Sequence, residues 1–227
     1  MKLTTEQIAK IEETLVMNGV VYEDIKLELI DHIASEIEDK IEDEGVDFDL
    51  ALKNSFYERR NILRTTSAPF WLGNFFHAPK IIIDKCVSNT QDLAKSTYFS
   101  AVIASIILTG FYQIYHGEKI IRISDNLIQA FFIFCSLSTL TLYFVVLNSK
   151  RKTTYSRLFI RRGWSMAIFL LMFSFGEMHI HFYRPNMSVF IVAIGNTCYM
   201  ALFSYTILGM NLVVKHFKTL KKHKLYF

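Results

Sequence analysis

Apolar residues recur at helical spacing along the first sixty residues of the chain. A capping-box pattern, Thr4 followed by Gln7, precedes the first apolar stripe and predicts the start of a helix. A longer stripe over residues 22–44 predicts a second helix that ends at Gly45, and residues 47–60 fit a third. The pattern therefore predicts a small three-helix domain, whose core is thin for its size.

Further along, the stripes give way to continuous apolar runs. About twenty apolar residues cross the hydrocarbon core of a bilayer, and four runs approach or exceed that length. They predict a four-helix transmembrane bundle within residues 98–227, with spans at about residues 98–115, 127–147, 164–182 and 187–214. The overall prediction is an all-α protein in which a helical domain of residues 1–60 precedes this bundle.

Residues 61–97 form a joint between the two regions. Pro69, Gly73 and Pro79 interrupt any helix there, and the aromatic side chains around them are typical of the headgroup level of a membrane. Residues 80–97 have helical spacing again. They form either a helix on the membrane surface or a stalk continuous with the first span.

Charge separates the two regions. Residues 1–60 contain 16 acidic against 7 basic side chains, a net charge of −9, whereas residues 61–227 contain 5 against 18, a net charge of +13. The hydrophobic content of 52% favours an integral membrane protein. Because the positive charge lies mainly at span ends, it indicates anionic lipid as the partner and no nucleic acid.

Two basic segments predict the orientation. The loop of residues 149–163 carries six cations and no acid, and the tail after residue 214 has five lysines. Such segments stay in the cytoplasm, so both termini are predicted to be cytoplasmic. The cations expected to anchor the protein at lipid headgroups are Lys150, Arg151, Lys152, Arg157, Arg161, Arg162, Lys221 and Lys222.

One polar cluster stands at the predicted outer face. Glu177 and His181 are four residues apart and share a helix face, His179 points elsewhere, and His116 ends the first span at the same depth. These side chains suit a divalent metal or a proton relay. The second and fourth spans contain no His, Asp or Glu, which disfavours a metal enzyme, and a structural role is preferred. No cofactor is predicted, and no phosphate-binding loop, nucleophile elbow or HExxH motif occurs.

The segment GVVYEDIKLELIDHIASEIEDKIED resembles the HAAS-type helical signalling domains found at the cytoplasmic N-terminus of bacterial multi-span membrane proteins. The similarity covers about residues 5–58 and rests on Tyr22, Glu28, Leu29, Asp31, His32, Ile33, Glu36, Ile37 and Glu38. It implies a non-catalytic signalling or docking module and a location in the bacterial inner membrane. No attached regulator or enzyme domain follows it here.

The polar members of this match are the candidate interaction residues, namely Glu28, Asp31, His32 and Glu36. Asp31 and His32 are adjacent on a helix and point about 100° apart, so they cannot converge on one ligand. A hydrogen bond or ion pair that fixes helix packing is the preferred interpretation of this pair, ahead of metal binding or catalysis.

Two functions fit these features. The first is a non-enzymatic regulatory or scaffolding protein of the inner membrane, whose N-terminal domain docks a protein partner in the cytoplasm or membrane. The alternative is a small transporter subunit or membrane enzyme that uses Glu177, His179 and His181. The sequence leaves open whether the protein forms a homo-oligomer.

Overall fold

The computed structural model describes residues 2–72, 76–114, 118–175 and 188–224. The chain divides into two compact units. Unit 1 comprises Met1–Ser88, Ser149–Leu158 and Lys215–Phe227, and unit 2 comprises Asn89–Asn148 and Phe159–Val214. Helices dominate the described residues of both units, so the predicted all-α class is confirmed.

Unit 1 starts with four helices, where the sequence predicted three. They are α1 (Thr5–Met17), α2 (Glu23–Glu44), α3 (Phe48–Glu58) and α4 (Arg60–Leu63). α4 is a single turn that begins where the third helix was expected to end. No glycine or proline marks the break, which lies at Arg59 with φ −88° and ψ 2°, and the sequence therefore gave no signal for it.

The predicted helix ends are present. The Thr4 hydroxyl accepts from the Gln7 amide at 3.2 Å, and the Gln7 side chain accepts from the Thr4 amide at 2.8 Å, which completes the capping box. Gly19 and Gly45 follow α1 and α2 with φ of +83° and +65°, values that glycine adopts without strain.

The core of these helices is small and mainly apolar. Ile11 and Leu15 of α1, Ile33 and Ile37 of α2, and Ala51 of α3 are all 0% exposed. α2 packs against both α1 and α3. α2 is therefore the central helix of this group.

The joint is more regular than its prolines suggested. Strand β1 (Thr65–Ser67) pairs with β2 (His77–Pro79) in an antiparallel hairpin, and a 3-10 turn covers Phe70–Leu72. α5 then runs without a break over Lys80–Ile114. Of the two alternatives for residues 80–97, the structure has the one in which they continue into the first span. At 1.5 Å per residue this helix is about 52 Å long, which exceeds the hydrocarbon core.

Three further helices follow, α6 (Glu118–Leu147), α7 (Thr154–Phe175) and α8 (Val189–Lys224). Among the described residues, three helical segments are long and apolar enough to cross a membrane, which corrects the predicted four. They are Lys80–Phe111, Asn126–Leu147 and Val189–Lys222. α7 is not among them because its first turns carry Arg157, Arg161 and Arg162, and residues 176–182 of the predicted third span lie outside the described residues.

Unit 2 holds its helices together with apolar and polar contacts. Phe132, Cys135, Leu170 and Tyr199 form a buried cluster contributed by α6, α7 and α8. The Asn196 amide of α8, which is 0% exposed, donates to the Thr109 hydroxyl of α5 at 2.9 Å. Hydrogen bonds of this kind join helices where water is absent. The Cys135 side chain of this unit is buried, whereas that of Cys198 is exposed.

We expect Ile37→Asp to unfold the α1–α3 core, because it would place an unpaired charge at a fully buried position, at a cost of several kcal/mol. Hydrogen exchange of the full-length protein should show lost protection throughout α1, α2 and α3. Asp39→Asn, at an exposed position of the same helix, is the matched control and should change nothing. Protection that persists in Ile37→Asp would contradict this description of the core.

Candidate interaction site

The main polar site of unit 1 joins the start of α2 to the start of α7. The Thr154 amide donates to Asp24 Oδ1 at 2.9 Å, and the Thr154 hydroxyl donates to Asp24 Oδ2. One residue before Asp24 and two before Thr154, the Glu23 amide donates to the Lys152 carbonyl at 2.9 Å. Three hydrogen bonds therefore connect residues that are about 130 positions apart in the chain.

The residues at the start of α7 form a local cap and leave one amide for Asp24. The Arg157 amide donates to the Thr153 carbonyl at 3.1 Å, which makes Thr153 the N-cap. Its hydroxyl accepts from the Ser156 amide at 3.1 Å, and the Ser156 hydroxyl accepts from the Thr153 amide at 3.0 Å. The first amide of the helix, that of Thr154, has no partner within a helix, and Asp24 supplies one. The carboxylate also lies at the positive end of the helix dipole.

The end of α8 belongs to the same site through His216, which is 0% exposed. Its Nδ1 lies 3.0 Å from the Thr153 hydroxyl, and its Nε2 lies 3.3 Å from the Ser149 hydroxyl. The Ser149 hydroxyl donates to the Arg151 carbonyl, so it accepts from the ring. With Nε2–H donating to Ser149, Nδ1 is able to accept from the Thr153 hydroxyl.

Cations cover aromatic rings around the site. The Arg157 guanidinium lies 4.5 Å from the ring centre of Phe76, which adjoins β2. The Lys215 ammonium lies 5.6 Å from the ring centre of Tyr155. Contacts of this geometry attract electrostatically and also cover apolar surface. They connect the hairpin and the tail to the first turn of α7.

The environment of Asp24 acts on its ionisation in two directions. Burial raises the pKa of Asp24 above its ordinary value, and the hydrogen bonds from Thr154 oppose that shift without cancelling it. Burial likewise raises the pKa of the nearby Tyr22 phenol. Since the folded pKa of Asp24 is raised, its ionised form adds no net stability at neutral pH. Asp24 therefore contributes to the structure by accepting hydrogen bonds through its carboxyl oxygens.

A second polar cluster connects α2 and α3. Glu36 is 2.5 Å from the Arg59 guanidinium and 2.7 Å from the Lys40 ammonium, and it accepts from the Ser55 hydroxyl at 2.7 Å. Burial acts to raise the pKa of Glu36, but the hydrogen bonds from Arg59, Lys40 and Ser55 outweigh it and lower the pKa to about 2.

The four candidate interaction residues are not gathered in one place. Asp31 and His32 are exposed on α2. Glu28 pairs with Lys85 at 3.2 Å, and Glu36 is engaged by the α3 cluster just described. The two exposed side chains are therefore the ones most accessible to a partner.

The basic side chains named as anchors are mostly accessible to solvent. Arg162 is an exception, since it is half-buried in unit 2 and donates to the Tyr205 hydroxyl at 2.5 Å. The exposed ones are Lys150, Arg151, Lys152, Arg157, Arg161, Lys221 and Lys222.

The candidate metal or proton residues Glu177, His179, His181 and His116 lie outside the described residues. Within the described part of the chain, no three His, Cys, Asp or Glu side chains are grouped so as to hold a metal ion.

Sequence reasoning missed the residues that make the main site, Asp24, Thr153, Thr154 and His216. The Thr153–Ser156 spacing is a local capping signal and was readable. The partnership with Asp24 was not readable, because no local pattern records a contact between distant segments.

Comparisons of the chain with known protein families, with curated proteins and with solved structures find no match. The resemblance to HAAS-type domains therefore stays a hypothesis from the sequence.

Acid should weaken the α2–α3 cluster. The folded pKa of Glu36, about 2, lies below its ordinary value of 4.5, so the ionised carboxylate stabilises the fold above about pH 4.5 and loses that effect as the pH falls towards 2. Glu36→Gln should therefore lower the melting temperature at pH 7. In acid, the melting temperatures of the variant and the unchanged protein should become equal. Asp39→Asn is the control. A difference that stays constant from pH 7 to pH 3 would contradict this role.

We expect Asp24→Ala to loosen the start of α7, because two Thr154 donors lose their acceptors, at about 1–3 kcal/mol for each group left unsatisfied. Asp24→Asn keeps an acceptor and should have a smaller effect. Hydrogen exchange of residues 149–158 measures this, and Asp31→Ala, an exposed position on the same helix, is the control. Equal exchange in all three variants would show that Asp24 does not hold α7.

Proposed function

We propose that the protein is a non-enzymatic regulatory or scaffolding component of a bacterial inner membrane. Its N-terminal helical domain would dock a protein partner and stay attached to the membrane-adjacent loop. The observation that carries the proposal is the pair of hydrogen bonds from Thr154 to Asp24, which ties that domain to the first turn of α7. The three helices with spanning length and composition support the membrane location.

The contacts within unit 1 support cytoplasmic placement of both termini. The Thr154 amide contacts Asp24 and the Thr153 hydroxyl contacts His216, which supports placing the N-terminal helices, the loop of residues 149–158 and the start of the tail on one side of a membrane. α5 and α6 provide two crossings before the loop. The basic loop and tail would both face the cytoplasm, because short basic segments are retained there.

The exposed face of α2 is the proposed docking surface. Asp31 and His32 are accessible there, whereas neighbouring charged residues are already engaged by Lys85 or by α3. The similarity to HAAS-type domains also rests partly on these two residues. A rigid helix with two free polar side chains provides specificity to a partner, while the core behind it stays intact.

Photo-cross-linking in cells tests the proposal. A photoreactive amino acid at Asp31 or His32 should give one adduct of defined mass, and the same group at exposed Asn54 of α3 should not. An adduct with the mass of a dimer would identify the partner as a second copy. Equal adducts at all three positions, or none at Asp31 and His32, would contradict the docking surface. Metal bound stoichiometrically to the purified protein would favour the transporter or enzyme alternative. Proton flux into vesicles that contain the protein would do the same.

A further inference from the structure

We propose that unit 1 contains a binding surface for anionic lipid headgroups, formed by the turn after α1 together with the basic loop. The apolar part, here called the turn patch, consists of Val16, Met17 and Val21. The charged part consists of Lys150, Arg151 and Lys152. The turn patch would enter the interface between headgroups and acyl chains while the three cations bind lipid phosphates.

The turn patch is exposed although it surrounds core residues. Val16, Met17 and Val21 are 44%, 80% and 52% exposed, whereas Leu15 and Val20 in the same turn are 0% exposed. The apolar side chains of this turn therefore form two groups, one packed inside and one facing outwards. Large apolar side chains grouped on a surface indicate contact with a partner or a membrane.

The turn is held rigidly in this arrangement. The Gly19 amide donates to the Val16 carbonyl at 2.9 Å and the Val20 amide to the Leu15 carbonyl at 3.0 Å, the two bonds of a Schellman motif. A Cβ atom on Gly19 would lie 3.4 Å from Pro79 Cγ, so the turn also rests against the hairpin. A fixed turn presents its apolar side chains without the entropy cost of ordering them on binding.

The basic loop adjoins this turn. The hydrogen bond from the Glu23 amide to the Lys152 carbonyl, 2.9 Å long, brings the loop within two residues of Val21. Lys150, Arg151 and Lys152 are all exposed. Of the nearby acids, Glu23 is buried and Glu12 pairs with Lys26 at 2.6 Å, while Glu13 is exposed on α1.

The position of the basic loop along the chain favours lipid as the ligand of this surface. The loop begins directly after α6, whose candidate span ends at Leu147, so the cations stand at the level of the headgroups. Apolar side chains beside cations at that level match the two forces that hold proteins on anionic membranes. Negatively charged lipid complements the three cations and admits the three apolar side chains, which RNA would leave in water.

This surface is separate from the docking surface at Asp31 and His32, so each proposal can fail alone. The test uses the full-length protein with Cys198→Ser and an environment-sensitive thiol label at Met17→Cys, reconstituted in vesicles. Phosphatidylcholine vesicles with and without phosphatidylglycerol are compared, with acyl chains brominated near the headgroup as quenchers. The same label at Asn54→Cys is the control.

We expect strong quenching of the Met17 label in the anionic vesicles, weaker quenching in neutral vesicles, and none above background at Asn54. Replacing Lys150, Arg151 and Lys152 with Gln should reduce the quenching in anionic vesicles to the neutral level, as should high salt. Quenching at Met17 no greater than at Asn54 would overturn the proposal. A Met17 label shielded from aqueous quenchers but unaffected by brominated lipid would identify a protein contact instead.

Discussion

The hydrogen bonds between Asp24 and Thr154 are the contact on which unit 1 depends. The first amides of any α-helix lack partners within the helix, and the capping residue of α7, Thr153, is buried. Its own sequence satisfies some of these groups through Thr153 and Ser156. The carboxylate from α2 satisfies the Thr154 amide, and in doing so it fixes where the N-terminal helices attach to the loop.

The rest of the site follows from the same residues. Thr153 caps α7 and also contacts His216, so the tail is ordered by the residue that starts the helix. Three segments that are distant in the chain thereby meet in one buried polar network. A buried polar network destabilises the fold when some of its donors or acceptors lack partners. When all of them are paired, it favours one arrangement of the chain. A partner that bound α2 and shifted Asp24 would consequently disturb both the loop and the tail.

The features of the fold that depend on local sequence patterns were predicted correctly. The capping box at Thr4, the glycine stops and the amphipathic stripes are all present in the structure. The sequence did not predict the single turn α4 or the β1–β2 hairpin, since neither has enough residues to show a period. Glu36 was expected at an interaction surface, and it pairs with Arg59, the residue that follows α3; this pairing depends on how α2 and α3 pack. The partners of Asp24 and His216 were hidden for the same reason.

In the proposed arrangement, the N-terminal helices, the basic loop and the tail lie together on one side of the membrane. Labelling of sealed vesicles with a membrane-impermeant thiol reagent tests it most directly, using Lys53→Cys, Lys150→Cys and Lys221→Cys, each combined with Cys198→Ser. All three positions are exposed. We expect the three positions to react alike, either before or only after the vesicles are opened. A position that reacts from the opposite side to the other two would contradict it.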